Sequence, residues 1–206
     1  MREMQSLCLQ RVVRNAGLCG LIFLASLFAN TSPLRAEDAS VLEQIKTQFN
    51  QDRGVLRLVV LVSPTCPECV GGAQWVYDYV LKRYPDLPIR VYSVWYEMYP
   101  GDSPDDFPAA KRLMPDRRVT HMWDESKDVG RWFTSVVPTN LKGEIQWDAY
   151  YLYGEQAAWG EEPPAPLLTW GRTILRDRKK LSDKIEELAG PPTQPVIQLI
   201  APQEQP

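Results

Sequence analysis

The chain has 206 residues, 44% of them hydrophobic and 24% charged, with a formal net charge of −3. That length and composition describe one globular domain with short additions, able to bury a full core without disulfide staples. The interspersed, slightly acidic charge argues against a nucleic-acid partner, which requires a basic face.

The first 36 residues read as an export signal for a bacterial-type inner membrane. Arg2, Arg11 and Arg14 give a basic start, Gly17 to Ala29 form an apolar run, and Leu34-Arg35-Ala36 precede Glu37. A positive start, an apolar stretch of roughly 7–15 residues and a small residue at the cut define a secretory signal. The run is shorter than the ~20 residues that cross a bilayer comfortably. Export to the periplasm is therefore expected. The alternative is an uncleaved leader that anchors the domain to the inner membrane facing the periplasm, the one membrane contact anticipated. Cleavage removes Cys8 and Cys19 and leaves two cysteines, Cys66 and Cys69, in one C-x-x-C. A bridge closing so short a loop removes little entropy from the unfolded chain. The pair is therefore there for reactivity or for metal.

Residues 37–53 carry an N-terminal helix, because Val41, Leu42, Ile45 and Phe49 fall at helical spacing before Asp52-Arg53-Gly54. Val55 to Val62 is an almost unbroken apolar, β-branched run, the pattern of a central strand buried on both faces. Cys66-Pro67-Glu68-Cys69 follows after Ser63-Pro64-Thr65, then a helical repeat from Val70 to Tyr84 and an alternating strand from Ile89 to Trp95. A C-x-x-C at the first turn of a βαβ unit reads as a redox motif rather than a zinc knuckle. Residues 96–118 form a long Pro-rich insertion with one helical turn near Phe107 to Leu113. Val119 to Trp123 is a short extended piece, and Asp124 caps a helix through Val129, Trp132 and Phe133. Trp147 to Tyr153 and Leu167 to Leu175 pair as strands, and Arg176 to Ala189 make an amphipathic closing helix with Leu181, Ile185 and Leu188 inward. Residues 191–206 are expected to be a disordered tail, and Arg117-Arg118 and Arg176 to Lys180 to be solvated basic faces.

Strand, C-x-x-C at a helix start, strand, helix, two strands and a closing helix is the order in which residues 54–190 resemble the thioredoxin-like superfamily. The resemblance implies an α/β fold with a central mixed β-sheet flanked by helices. The segment Asp116 to Asp124 (DRRVTHMWD), followed by Gly130-Arg131-Trp132-Phe133, is similar to one in uncharacterised bacterial thioredoxin-like proteins. Three departures stand out. The family's buried carboxylate, six residues before the first cysteine, is Val60 here, and its Trp just before that cysteine is Thr65. Its cis-proline ahead of the fourth strand matches Val137-Pro138-Thr139 in type. That proline lies about nine residues before the strand beginning at Trp147, so register favours Trp147 or Asp148 facing the motif.

Cys66 is expected to be the nucleophile, because a helix start places orphan N–H groups and the positive end of the dipole beside its sulfur. Cys69 resolves the mixed disulfide. Pro67 suits the first helical position, where no N–H is needed. Glu68 adds negative charge that opposes the thiolate, which leans the chemistry towards reduction or isomerisation, or it accepts the Cys69 proton in place of the missing carboxylate. Pro67, Pro138, Trp123, Trp147 and Asp148 are candidates for the substrate groove. Partners are then protein or small-molecule thiols and disulfides, and no cofactor beyond the Cys66–Cys69 disulfide is expected. A second reading builds a copper or mercury site, as in a metallochaperone, from Cys66, Cys69 and His121, the one histidine of the chain. A third is a redox-inactive interaction module. Nothing in the sequence specifies an oligomeric state.

Overall fold

A computed structural model describes residues 39–136 and 143–193; the expected export signal, Pro138 and most of the expected tail lie outside the described residues. The elements in chain order are α1 (Val41–Gln51), β1 (Leu56–Val62), α2 (Pro67–Val76) and β2 (Ile89–Trp95), then α3 (Phe107–Ala110), β3 (Val119–Trp123) and α4 (Asp128–Trp132), and finally β4 (Ala149–Ala158), β5 (Ala165–Arg172) and α5 (Ile174–Ala189). The five strands form one sheet in the order β3-β2-β1-β4-β5. β1, β2 and β3 run parallel, while β4 is antiparallel to both β1 and β5. The expected mixed sheet between helices is thus present.

β1 lies at the centre, and all seven of its residues are buried. Leu58, Val60 and Val62 face one core with α2 and α5, while Val59 and Leu61 face the other with α1 and α4. The near-continuous apolar run follows from this double covering. The second core is aromatic: Phe49 meets Tyr153 and Trp159 edge-on, with ring centroids 5.3 Å apart in each pair. Such edge-to-face pairs add about 0.5–1.5 kcal/mol each beyond simple burial.

The insertion at 96–118 is tied down along its length. Two 3-10 turns, Pro104–Asp106 and Lys111–Leu113, flank α3, and Phe107 and Leu113 pack on the α2–α5 core. Arg118 differs from its expectation as a solvated residue. Its guanidinium donates to the carbonyls of Leu81 (2.7 Å) and Tyr84 (2.8 Å) and pairs with Asp116 at 2.8 Å. It therefore caps the chain end that follows α2, bonding the Leu81 carbonyl and sharing the Tyr84 carbonyl with the Leu87 N–H.

Several boundaries move for local reasons. The helix read from Val70 begins at Pro67, because Cys66 itself is the cap. Beyond Val76 it continues as a π-helical turn, Tyr77–Leu81. β4 starts two residues later than expected, since Asp148 adopts φ 48°, a left-handed conformation that a strand cannot accommodate and that Asp tolerates better than most residues. β5 ends at Arg172 rather than Leu175, because the Ile174 N–H leaves the sheet to bond Asp148. Among the described residues, no helix is long and apolar enough to cross a membrane.

Candidate active site

The parallel β1 delivers the chain to the edge of the sheet, where Ser63-Pro64-Thr65 turn it into α2. Cys66 is the N-cap of α2, with φ −67° and ψ 120°, and Pro67 occupies the first helical position. The extended cap conformation lets the sulfur do what a serine oxygen does at other N-caps: it accepts the backbone N–H of Cys69, at 3.4 Å. The Cys66 thiol in turn donates to Glu68 Oε2 at 3.6 Å. Both cysteines are free thiols, Cys66 with 3% of its surface exposed and Cys69 with none. Burial pushes the Cys69 thiol far above its ordinary range. A backbone hydrogen bond from Ser63 works the other way, and the negative charge of Asp148 and the neighbouring Cys66 add to the rise.

α2 can approach α5 closely only because position 72 is glycine: a Cβ there would stand 2.9 Å from Ile174 Cβ. That contact brings the start of α5 beside the motif, and Asp148 sits between them. The Asp148 carboxylate accepts the Ile174 N–H at 3.1 Å, and only 4% of the residue is exposed. Burial holds its pKa above the ordinary carboxylate value, against the lowering effect of the Ile174 bond. Trp147, just before it, is half-buried at the junction of the two cores. Trp123 packs against Phe107 at 5.8 Å on the core that contains both cysteines. Pro67 and Glu68 are exposed beside the sulfurs. Pro138 lies outside the described residues, and it is Asp148 that directly precedes β4.

Asp102, in the insertion, escaped sequence reasoning. One oxygen accepts the Ser63 hydroxyl at 2.6 Å and the N–H groups of Met98 and Tyr99 at 2.8 and 2.7 Å. The other accepts the N–H and hydroxyl of Thr65 at 3.0 and 2.7 Å. Burial alone would raise its pKa; these bonds to the charged form outweigh it and hold the group below the usual value. The signal that pointed here was the pair of hydroxyl residues around Pro64, with a Pro-Gly-Asp-Ser-Pro turn to supply a short acid.

The soft-metal set does not assemble. His121 Nδ1 accepts the indole N–H of Trp95 at 3.2 Å, and Nε2 lies 3.2 Å from the Met114 carbonyl. Both ring nitrogens are thereby engaged as in a neutral imidazole. Among the described residues, no group of three His, Cys, Asp or Glu side chains is placed to hold a metal. Burial lowers the His121 pKa. The unfolded chain then binds a proton that the native state refuses. The stability this gives is full above about pH 6.5 and is lost as pH falls through the lowered native value. Urea unfolding between pH 7 and 5 should show a slope that His121→Asn removes; equal slopes in both proteins would refute a buried neutral histidine.

No protein-family model matches the chain, and no curated protein matches it. Solved structures do. A candidate protein disulfide isomerase from Bacteroides thetaiotaomicron is 11% identical, with TM-score 0.47 over 68% of this chain and 76% of that one. A secreted Mycobacterium tuberculosis disulfide oxidoreductase is 12% identical, with TM-score 0.42 over 66% and 84%. The thioredoxin domain of a Bacteroides vulgatus thiol-disulfide oxidoreductase is 14% identical, with TM-score 0.40 over 65% and 83%. On its own strand order, with C-x-x-C capping the helix after the central strand, this chain has a thioredoxin-like fold.

Proposed function

We propose that the protein is a thiol–disulfide oxidoreductase of the cell envelope, working on protein or small-molecule disulfides. The observation that carries this reading is a dithiol at a helix N-cap, with one sulfur accepting a first-turn N–H and the second one turn behind it. Cys66 thiolate attacks a substrate disulfide and releases one substrate thiolate. A mixed disulfide between Cys66 and the second substrate sulfur results. Cys69 then attacks Cys66, the Cys66–Cys69 bond forms, and the second substrate thiol leaves. Two electrons pass from the dithiol to the substrate. Glu68 sets a carboxylate oxygen 3.6 Å from the Cys66 sulfur, and that neighbouring acid is the ground for inclining the reading towards reduction or isomerisation rather than oxidation. The envelope assignment rests on the basic and apolar character of residues 1–36.

The test is the redox equilibrium of the metal-free mature protein against glutathione, with thiols counted by mass. A reversible two-electron couple is expected, between roughly −120 and −270 mV and nearer the reducing end. Thiols that do not cycle, or that hold copper or zinc through purification, would sink the reading.

A further inference from the structure

Resolution of the mixed disulfide needs the Cys69 proton to go somewhere, and burial holds that proton firmly. β1 offers no acceptor: its residues facing α2 are Leu58, Val60 and Val62. Glu68 is exposed, and its carboxylate is taken up by the thiol of Cys66, the other sulfur. Asp148 is placed differently. In the β1–β4 register Ala149 stands opposite Leu61, so the next position along sets Asp148 level with Val62, at the point where β1 hands over to Ser63. Ser63 is the residue whose backbone bonds to Cys69. From the far side, Asp148 holds the Ile174 N–H, and Ile174 is the side chain pressed against Gly72 one turn beyond Cys69. The carboxylate is thus wedged between the end of β1, the first turns of α2 and the start of α5. The charged groups acting on it are Glu68 from α2 and Arg172 from β5, besides Cys69 itself.

We propose that Asp148 is the proton acceptor for Cys69, an inference that rests on the oxidoreductase reading above. In the resolving step the Cys69 S–H bond breaks and its proton passes to the Asp148 carboxylate. The freed electron pair forms the bond from Cys69 sulfur to Cys66 sulfur. The Cys66–substrate S–S bond breaks, its pair leaves on the substrate sulfur as thiolate, and the carboxylic acid returns its proton to solvent. Reduction of the Cys66–Cys69 disulfide runs the same path backwards, with protonated Asp148 as donor. A carboxyl whose protonated form is favoured by burial suits both directions.

The test uses the reduced protein and an aromatic disulfide that releases a coloured thiolate, 5,5′-dithiobis(2-nitrobenzoate), in stopped flow. Attack by Cys66 releases the first thiolate and attack by Cys69 the second. Asp148→Asn keeps an acceptor for the Ile174 N–H and should slow the second phase about 100-fold or more, leaving the first within about twofold. Its second phase should also rise in proportion to hydroxide where the wild-type rate has levelled. Asp148→Ser, with a hydroxyl for the same N–H, should separate the phases in the same way, with circular dichroism reporting the fold. A second phase at wild-type rate in both variants overturns the inference, as does equal slowing of both phases or a larger slowing by Glu68→Gln. If wild-type protein releases no coloured thiolate, the oxidoreductase reading itself fails, which is a distinct result.

Discussion

Replacing Cys66 by serine is expected to reduce disulfide exchange by about 10³-fold or more and to capture no partner, whereas Cys69→Ser should accumulate mixed disulfides through Cys66. The asymmetry follows from where the sulfurs lie. Cys66 is the cap, with 3% of its surface open to substrate and its sulfur on a helix-end N–H; Cys69 has no exposed surface. A serine hydroxyl at 66 would still cap α2, so the loss is chemical rather than structural. Cys69→Ser leaves the first attack intact and removes the second, so the covalent complex persists. Non-reducing electrophoresis of protein isolated from cells, followed by mass analysis of the adducts, reads both outcomes. A metal-handling protein would instead lose stoichiometric binding of copper(I) with either substitution. An interaction module would be indifferent to both, and either pattern would remove the redox assignment.

Arg57→Ala should cost about 3–5 kcal/mol, the largest loss expected from a residue away from the motif. Arg57 is fully buried within β1, on the aromatic side, with its guanidinium 4.6 Å from the Phe49 ring centroid. Its hydrogen-bond partners are backbone carbonyls, with Asp52 and Glu155 acting on it only through their charge. Nη1 donates to the carbonyls of Val55 and Glu155, each at 2.7 Å, and Nη2 donates to the carbonyl of Ala157. Of those β4 carbonyls, that of Glu155 also accepts the Gly54 N–H at 3.0 Å, whereas that of Ala157 lies in the stretch where the β4–β5 register jumps between Tyr153 and Ala158. Burial lowers the Arg57 pKa, yet the group stays charged because arginine starts so high. Truncation removes these three hydrogen bonds at once, leaves the Ala157 carbonyl buried without its donor, and opens a cavity beside Phe49. Arg57→Lys should recover only part of the loss, since one ammonium cannot span a fork of acceptors. Urea unfolding of the reduced protein measures this; a shift under about 1 kcal/mol would show that water replaces the guanidinium without difficulty.

Much of the fold was legible because its signals are local. The β1 run is almost wholly apolar since both faces are covered, and the span Ile89 to Trp95 matches β2 residue for residue, although every β2 residue but Arg90 is buried rather than alternating. The motif announced itself by cysteine count once the leader was set aside. What stayed hidden depends on partners distant in sequence. Arg57 looked like an interruption in an apolar strand, and its acceptors lie up to 100 residues away. Asp102 was one acid among several in a Pro-rich stretch, and its meaning comes from hydroxyls at 63 and 65. Asp148 was placed near the motif by register, but its burial depends on the glycine-permitted contact of α2 with α5, which no periodicity encodes.

The five bonds gathered by Asp102 make the reactive turn a shared product of two stretches of chain. Cys66-Pro67-Glu68-Cys69 is therefore not a portable cassette. Grafted onto another strand–helix junction, the four residues would bring their sulfurs and their proline but lose the backbone anchor at Thr65. Conversely, trimming the insertion at 96–118 to a minimal crossover would loosen a motif more than thirty residues upstream. A shortened relative would need to rebuild that anchor, and a search for one should look for an acid or amide elsewhere that reaches the same two hydroxyls.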